Sequence, residues 1–104
     1  MFVARGYVSQ EQIAAEIERA RQKLGPEVVR LTHSVGPDHD DEPAIHIRIV
    51  LTDAASVEST LADVTGKITA TLFDEVRPYE SGMRMYFSFR SQSEQANRND
   101  LAWA

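Results

Sequence analysis

Cysteine is absent from this chain of 104 residues. That removes disulfides, thiolate chemistry and the commonest ligand of structural zinc, and makes a reducing, cytoplasmic setting the expectation. No stretch approaches the roughly 20 apolar residues of a membrane span, and the segment Met1 to Val8 carries neither a basic leader nor a long apolar core. Neither membrane insertion nor secretion is expected. Glycine is scarce, at 5 residues, and none falls in a phosphate-binding pattern: there is no Gly-x-Gly-x-x-Gly, and Gly66-Lys67 is followed by Ile68 rather than by serine or threonine. A Gly-x-Ser-x-Gly nucleophile elbow is missing too. Positive charge is in the minority, 11 basic against 16 acidic residues for a net charge of −5. Nonspecific DNA affinity comes mainly from neutralising phosphates, so this balance argues against a DNA-binding domain.

What remains is the composition of one small domain. With 42% apolar residues in 104, the chain has enough hydrophobic material for one core and not for two. Ser9 followed by Gln12 has the spacing of a capping box and opens a predicted helix. Ile13, Ile17, Ala20 and Leu24 then recur at helical spacing until Gly25 and Pro26 end it, the glycine suited to a left-handed C-terminal position. Val29, Leu31 and Val35 alternate with Arg30, Thr32 and Ser34 in a strand over 28–35. Gly36 to Pro43, acidic and proline-flanked, reads as a solvated connection. A second strand follows over 44–52, with Ile45, Ile47, Ile49 and Leu51 on one side and His46, Arg48 and Val50 on the other. A second helix begins between Asp53 and Ser56, with a stripe of Val57, Leu61, Val64, Ile68 and Leu72. After a Pro78 to Gly82 turn, a third strand over 83–90 sends Met83, Met85, Phe87 and Phe89 inward. No internal repeat or low-complexity segment interrupts the pattern.

The expected architecture is therefore α+β, a two-layer sandwich with two helices on one face of a three- or four-stranded sheet. If residues 2–8 add a strand through Phe2, Val3, Tyr7 and Val8, the order becomes the βαββαβ of a ferredoxin-like fold. A single domain over 1–91 is expected to carry a C-terminal tail over 92–104.

The uncovered sheet face is predicted to present Arg30, Thr32, His46, Arg48, Arg84, Tyr86, Ser88 and Arg90, with no acid among them. Removing those four arginines from 11 basic residues leaves seven against all 16 acids elsewhere, so the domain is electrically two-sided. Such a face suits an acidic protein surface or an acidic helix of a second copy. It suits single-stranded RNA less, since only Tyr86 offers an outward stacking ring while Phe87 and Phe89 turn to the core. Solvated arginines snorkelling over a sheet are the bland reading.

Other candidates are weaker. Asp38, His39, Asp40, Asp41 and Glu42, with His46 beyond, have ligand chemistry for a divalent ion but match neither an EF-hand nor a zinc-helix spacing. An acidic solvated turn explains them as well, and no cofactor is expected. His33 falls on the apolar side of its strand and is a candidate titrating group. Trp103, the chain's one tryptophan, is the type of anchor that folds back on its own domain or fills a pocket on another chain.

The stretch Tyr86-Phe87-Ser88-Phe89-Arg90-Ser91-Gln92-Ser93-Glu94-Gln95, with Glu42-Pro43-Ala44-Ile45 and Ala102-Trp103-Ala104, resembles a group of small uncharacterised bacterial proteins associated with two-gene modules whose partner is a helical HEPN-type protein. The resemblance covers the second half of the chain and implies a small protein partner. The nucleotidyltransferases typical of such modules carry a Gly-Ser motif followed by paired aspartates, which this chain lacks, so nucleotidyl transfer is not implied. The strand, helix, strand pattern is also similar to the cytosolic dimerisation domain of cation efflux transporters, whose membrane part has no counterpart here. The expectation is a non-enzymatic interaction module, a homo-oligomer or an antitoxin-like small partner protein. Arg48, Arg84, Tyr86, Arg90 and Trp103 are its expected contact residues. A single-stranded RNA binder and a small metal-dependent enzyme are the alternatives.

Overall fold

Residues 10–76 and 83–98 are described by a computed structural model. Helix α1 spans Gln10–Lys23, strands β1 and β2 span Val28–Pro37 and Pro43–Leu51, and a short 3-10 turn at Ala54–Ser56 leads into α2, Glu58–Val76. Strand β3, Arg84–Ser91, runs into a short helix α3, Gln92–Arg98. The sheet has three strands in the order β1-β2-β3, with β1 antiparallel and β3 parallel to β2.

The period-two pattern of β2 explains its central place. Ile45, Ile47, Ile49 and Leu51 are almost fully buried, and they form one core with Ile13, Ile17 and Ala20 of α1, with Ile68, Leu72 and Val76 of α2, and with Met83 and Met85. Both main helices therefore cover the same face of the sheet. Lys23 and Arg19 reach Glu75 across the helix pair. The hydrogen bond from Lys23 is the main cause that holds the Glu75 carboxyl below its ordinary range.

The α+β layering agrees with the sequence pattern, but the strand order is a correction. In a ferredoxin-like sheet the first strand separates the third from the last, whereas here the last strand lies directly beside the middle one and parallel to it. The 19 residues of α2 rise about 1.5 Å each, enough to return the chain along the whole length of β2, and among the described residues no other strand lies between β2 and β3. The proposed strand over residues 2–8, the Ser9 cap and the Pro78 to Gly82 turn lie outside the described residues.

Smaller corrections have local causes. The β1–β2 register slips between Val28 and Arg30, so Val28 pairs with Leu51 on the core side and Val29 is left 46% exposed. A bulge of one residue reverses the alternation assumed for Val29. Val57, expected on the helical stripe, is 48% exposed because it is the hinge between the 3-10 turn and α2, with extended backbone. Gly25 does not adopt a left-handed conformation; the last turn of α1 instead tightens through Leu24 N–H donating to Arg21 O at 3.2 Å.

The connection between β1 and β2 is an ordered hairpin loop. Asp38 N–H donates to Glu42 O (2.9 Å) and Asp41 N–H to Asp38 O (3.0 Å), while Asp41 has φ 64°. This is a β-turn closed by the Asp41-to-Asp38 hydrogen bond and ending in a left-handed residue, in a three-residue hairpin loop. Aspartate tolerates that conformation and a β-branched residue does not. Asp41→Gly should hold or raise stability, and Asp41→Val should lower it by about 1 kcal/mol in urea unfolding.

Candidate functional site

Register places the outer-face side chains in cross-strand rows. Ser34, His46 and Tyr86 form one row, Thr32, Arg48 and Ser88 the next, and Arg30, Val50 and Arg90 the third. Val50 and Ala44 also lie on this face, yet both are buried. Neither belongs to the helix-side core, so the longer side chains around them close over the strand on its outer surface as well.

Each described member of the predicted contact set is held by a neighbour. An Arg48 N–H donates to Ser34 Oγ at 3.1 Å, and an Arg90 N–H to Gln95 Oε1 of α3 at 3.2 Å. Tyr86 stacks on the His46 ring, with centroids 5.7 Å apart and planes at 17°, and its hydroxyl donates to Asp38 Oδ2 at 2.8 Å. The same Asp38 oxygen lies 3.5 Å from Arg84, which lies equally close to Asp40. Trp103 lies outside the described residues.

The acids that the sequence pattern assigned to a solvated connection thus fold back onto the basic face. Asp38 is the centre of this latch. Its Oδ1 accepts the N–H groups of Asp40 (2.8 Å) and Glu42 (3.1 Å), its Oδ2 faces Tyr86 and Arg84, and its side chain is only 2% exposed. Burial by itself works to raise the carboxyl pKa, but the hydrogen bonds from Tyr86, Glu42 and Asp40 together with the Arg84 charge outweigh it and hold the group below its ordinary value. The positive face is therefore compensated at its Arg84 end, while Arg48 is paired with no acid among the described residues.

A cation would fit this loop poorly. Asp38, His39 and Asp40 bring ligand atoms within 4.8 Å of one another. The Asp38 oxygens, however, already serve three hydrogen-bond donors, and the Arg84 guanidinium paired with them stands where a metal ion would add a second positive charge. His33 pairs across from Ile47 on the helix side of the sheet. Its partial burial pushes the imidazole below its ordinary value. Any stability it contributes is present above the unfolded-state pKa and declines as pH falls through the folded one.

At the opposite end, α3 is fastened by a motif the residues spell out. Ser91 Oγ accepts Glu94 N–H (3.1 Å) and Glu94 Oε1 accepts Ser91 N–H (3.2 Å), a reciprocal capping box. Asp53 adds a long-range lock, accepting Ser93 N–H at 3.0 Å and the Ser93 hydroxyl at 2.6 Å. Those two bonds, the hydroxyl first, keep the Asp53 carboxyl below its ordinary value. The Ser-x-x-Glu spacing is a local signal that the reading of 92–104 as a tail passes over, whereas nothing local to Asp53 or Asp38 marks its distant partner.

No known protein family, curated protein or solved structure matches the chain. Among the described residues, no helix is long and apolar enough to cross a membrane.

Proposed function

We propose that this chain is a non-enzymatic protein-interaction module, acting in the cytoplasm, whose outer sheet face docks against an acidic surface of a small partner protein. The neutralising half of a two-protein pair is the form of partnership that fits best. The observation that carries this reading is the fixed arginine at the middle of the face. Arg48 is oriented by Ser34, a neutral hydroxyl, so its charge is held in place with no acid paired to it among the described residues. A side chain already ordered loses less freedom on binding than a mobile one.

Two further observations favour this class over its alternatives. The Asp38 carboxylate, whose side chain is 2% exposed, is taken up by the amides of Asp40 and Glu42, the Tyr86 hydroxyl and the Arg84 charge, a structural engagement that leaves it poorly placed to act on a substrate. Phe87 and Phe89 belong to the partly buried apolar groups packed against the core, and His46 already covers one face of the Tyr86 ring. A single-stranded nucleic acid is left with little to stack on.

The test is co-expression with the product of the neighbouring gene, comparing the unaltered chain with Arg48→Glu/Arg84→Glu. Reversing both charges should weaken capture by about tenfold or more, equivalent to about 1.4 kcal/mol or more, with an unchanged circular dichroism spectrum. Equal capture by the double variant removes the sheet face from the interaction. Material absorbing at 260 nm that copurifies and leaves with salt would instead mark an RNA binder.

A further inference from the structure

We propose that the far edge of β3 is the seam at which two copies of this chain pair, strand against strand, into one continuous six-stranded sheet. The sheet order leaves β1 and β3 as its two edges among the described residues, and the edges differ. Strand β1 carries a bulge at Val29 and ends in Gly36-Pro37, devices that blunt an edge against further pairing. Strand β3 has neither. Its eight residues contain no proline, glycine or lysine, and they run in unbroken register with β2 from Ala44↔Arg84 to Leu51↔Ser91.

The sequence of β3 is complementary to itself in an antiparallel register centred on Ser88. A two-fold axis at Ser88 sets Phe87 opposite the second copy's Phe89, Tyr86 opposite its Arg90, and Met85 opposite its Ser91. Aromatic pairs directly across two strands are favourable, and an arginine beside a tyrosine ring gains a cation–π contact. Moving the axis to Phe87 would oppose Arg84 to Arg90 twice, placing like charges across the seam. A slip of one residue would put Phe87 beside Ser88 and turn the two helix layers to opposite sides. The Ser88 register keeps both layers on one side and sets no like charges across the seam.

The surroundings of the edge fit the same occupant. Phe87 and Phe89 lie on the helix side yet remain only partly buried. Beside Phe89, an open and largely apolar groove continues along α2 past Leu61, Ala62, Thr65 and Ala70. A second copy arriving at the edge would cover the exposed aromatic surface and bring its own α2 alongside. This seam is separate from the docking proposed for the outer face, because pairing at the edge leaves Arg48 of both copies directed outward.

The absence of cysteine makes a direct test available. Opposed residues of an antiparallel pair have Cα atoms about 4.5–5.5 Å apart, inside the range a disulfide spans. The full chain bearing Ser88→Cys should run mostly as a disulfide-linked dimer after mild oxidation. Thr32→Cys, on the same face but at the β1 edge, should stay a single chain. In light scattering after size exclusion, the unaltered chain should be a dimer and Ser88→Lys a monomer with an unchanged circular dichroism spectrum. A monomeric unaltered chain overturns the proposal, as does a Ser88→Cys chain that crosslinks no more than Thr32→Cys. Loss of partner capture in the Arg48 and Arg84 reversal, with the Ser88 crosslink intact, would show the two surfaces to be independent.

Discussion

Replacing Ile49 by alanine should cost about 3 kcal/mol, within the 2–5 kcal/mol typical of truncating a buried isoleucine. The site is severe for two reasons. Ile49 is 0% exposed on the central strand, and both helices and Met85 of the neighbouring strand contribute to the core it fills. A rigid sheet between two helices has little room to collapse around the lost atoms, so most of the cavity cost remains. Against a total of about 5–15 kcal/mol for a small domain, such a loss should be plain in the urea midpoint. Val57→Ala is the contrasting substitution. Its side chain is 48% exposed at a hinge, and the change should stay within about 0.5 kcal/mol. Equal losses at the two positions would mean that α2 packs on a different face.

Asp38→Ala should be the most damaging substitution in the hairpin loop. It removes the acceptor for two loop amides and for the Tyr86 hydroxyl at once, and it leaves Asp40 as the acid facing Arg84 among the described residues. Asp40→Ala deletes a single exposed ion-pair partner and should lower the melting temperature much less. The pH dependence carries a definite sign. Asp38, Asp53 and Glu75 all have folded-state pKa values below their ordinary ones. Their stabilisation is therefore complete above the unfolded-state carboxyl range and is lost as pH falls through the folded values. The urea midpoint of the unaltered chain should fall between pH 6 and about pH 3, where model carboxylates near 4 also titrate. In Asp38→Asn the midpoint should start lower at neutral pH and decline less with acid. An acid response unchanged by Asp38→Asn would mean that the latch contributes nothing to folding.

Local periodicity was enough to place the two main helices and the three strands, though not the short helix α3, whose residues read as part of a tail. The alternation in 44–52 and the four-three spacing from Ile13 to Ala20 each have one physical solution, and the same arithmetic put Arg48, Tyr86 and Arg90 together on the outer face. Three features escaped it. The Val29 bulge reverses a face without changing any residue type, since valine serves equally well on either side. The direct pairing of β2 with β3 is a choice of neighbour between distant strands, which local periodicity does not encode. The Asp38 latch joins residues 48 apart, and an aspartate with one long-range partner reads in sequence like any solvated turn acid. Ser91 and Glu94 show the opposite case, where both partners lie within one turn and the spacing is itself the signal.

The crossover that sets β3 beside β2 also fixes an order of events during synthesis. α1, β1 and β2 are joined by short connections and meet early, whereas β3 emerges only after all of α2 has followed β2. Until then one side of β2, with its line of isoleucines, has an open edge toward which neighbouring nascent chains can align. The yield of native protein should therefore depend on how soon the last strand arrives, and slowing translation between β2 and β3 lengthens the interval in which chains aggregate.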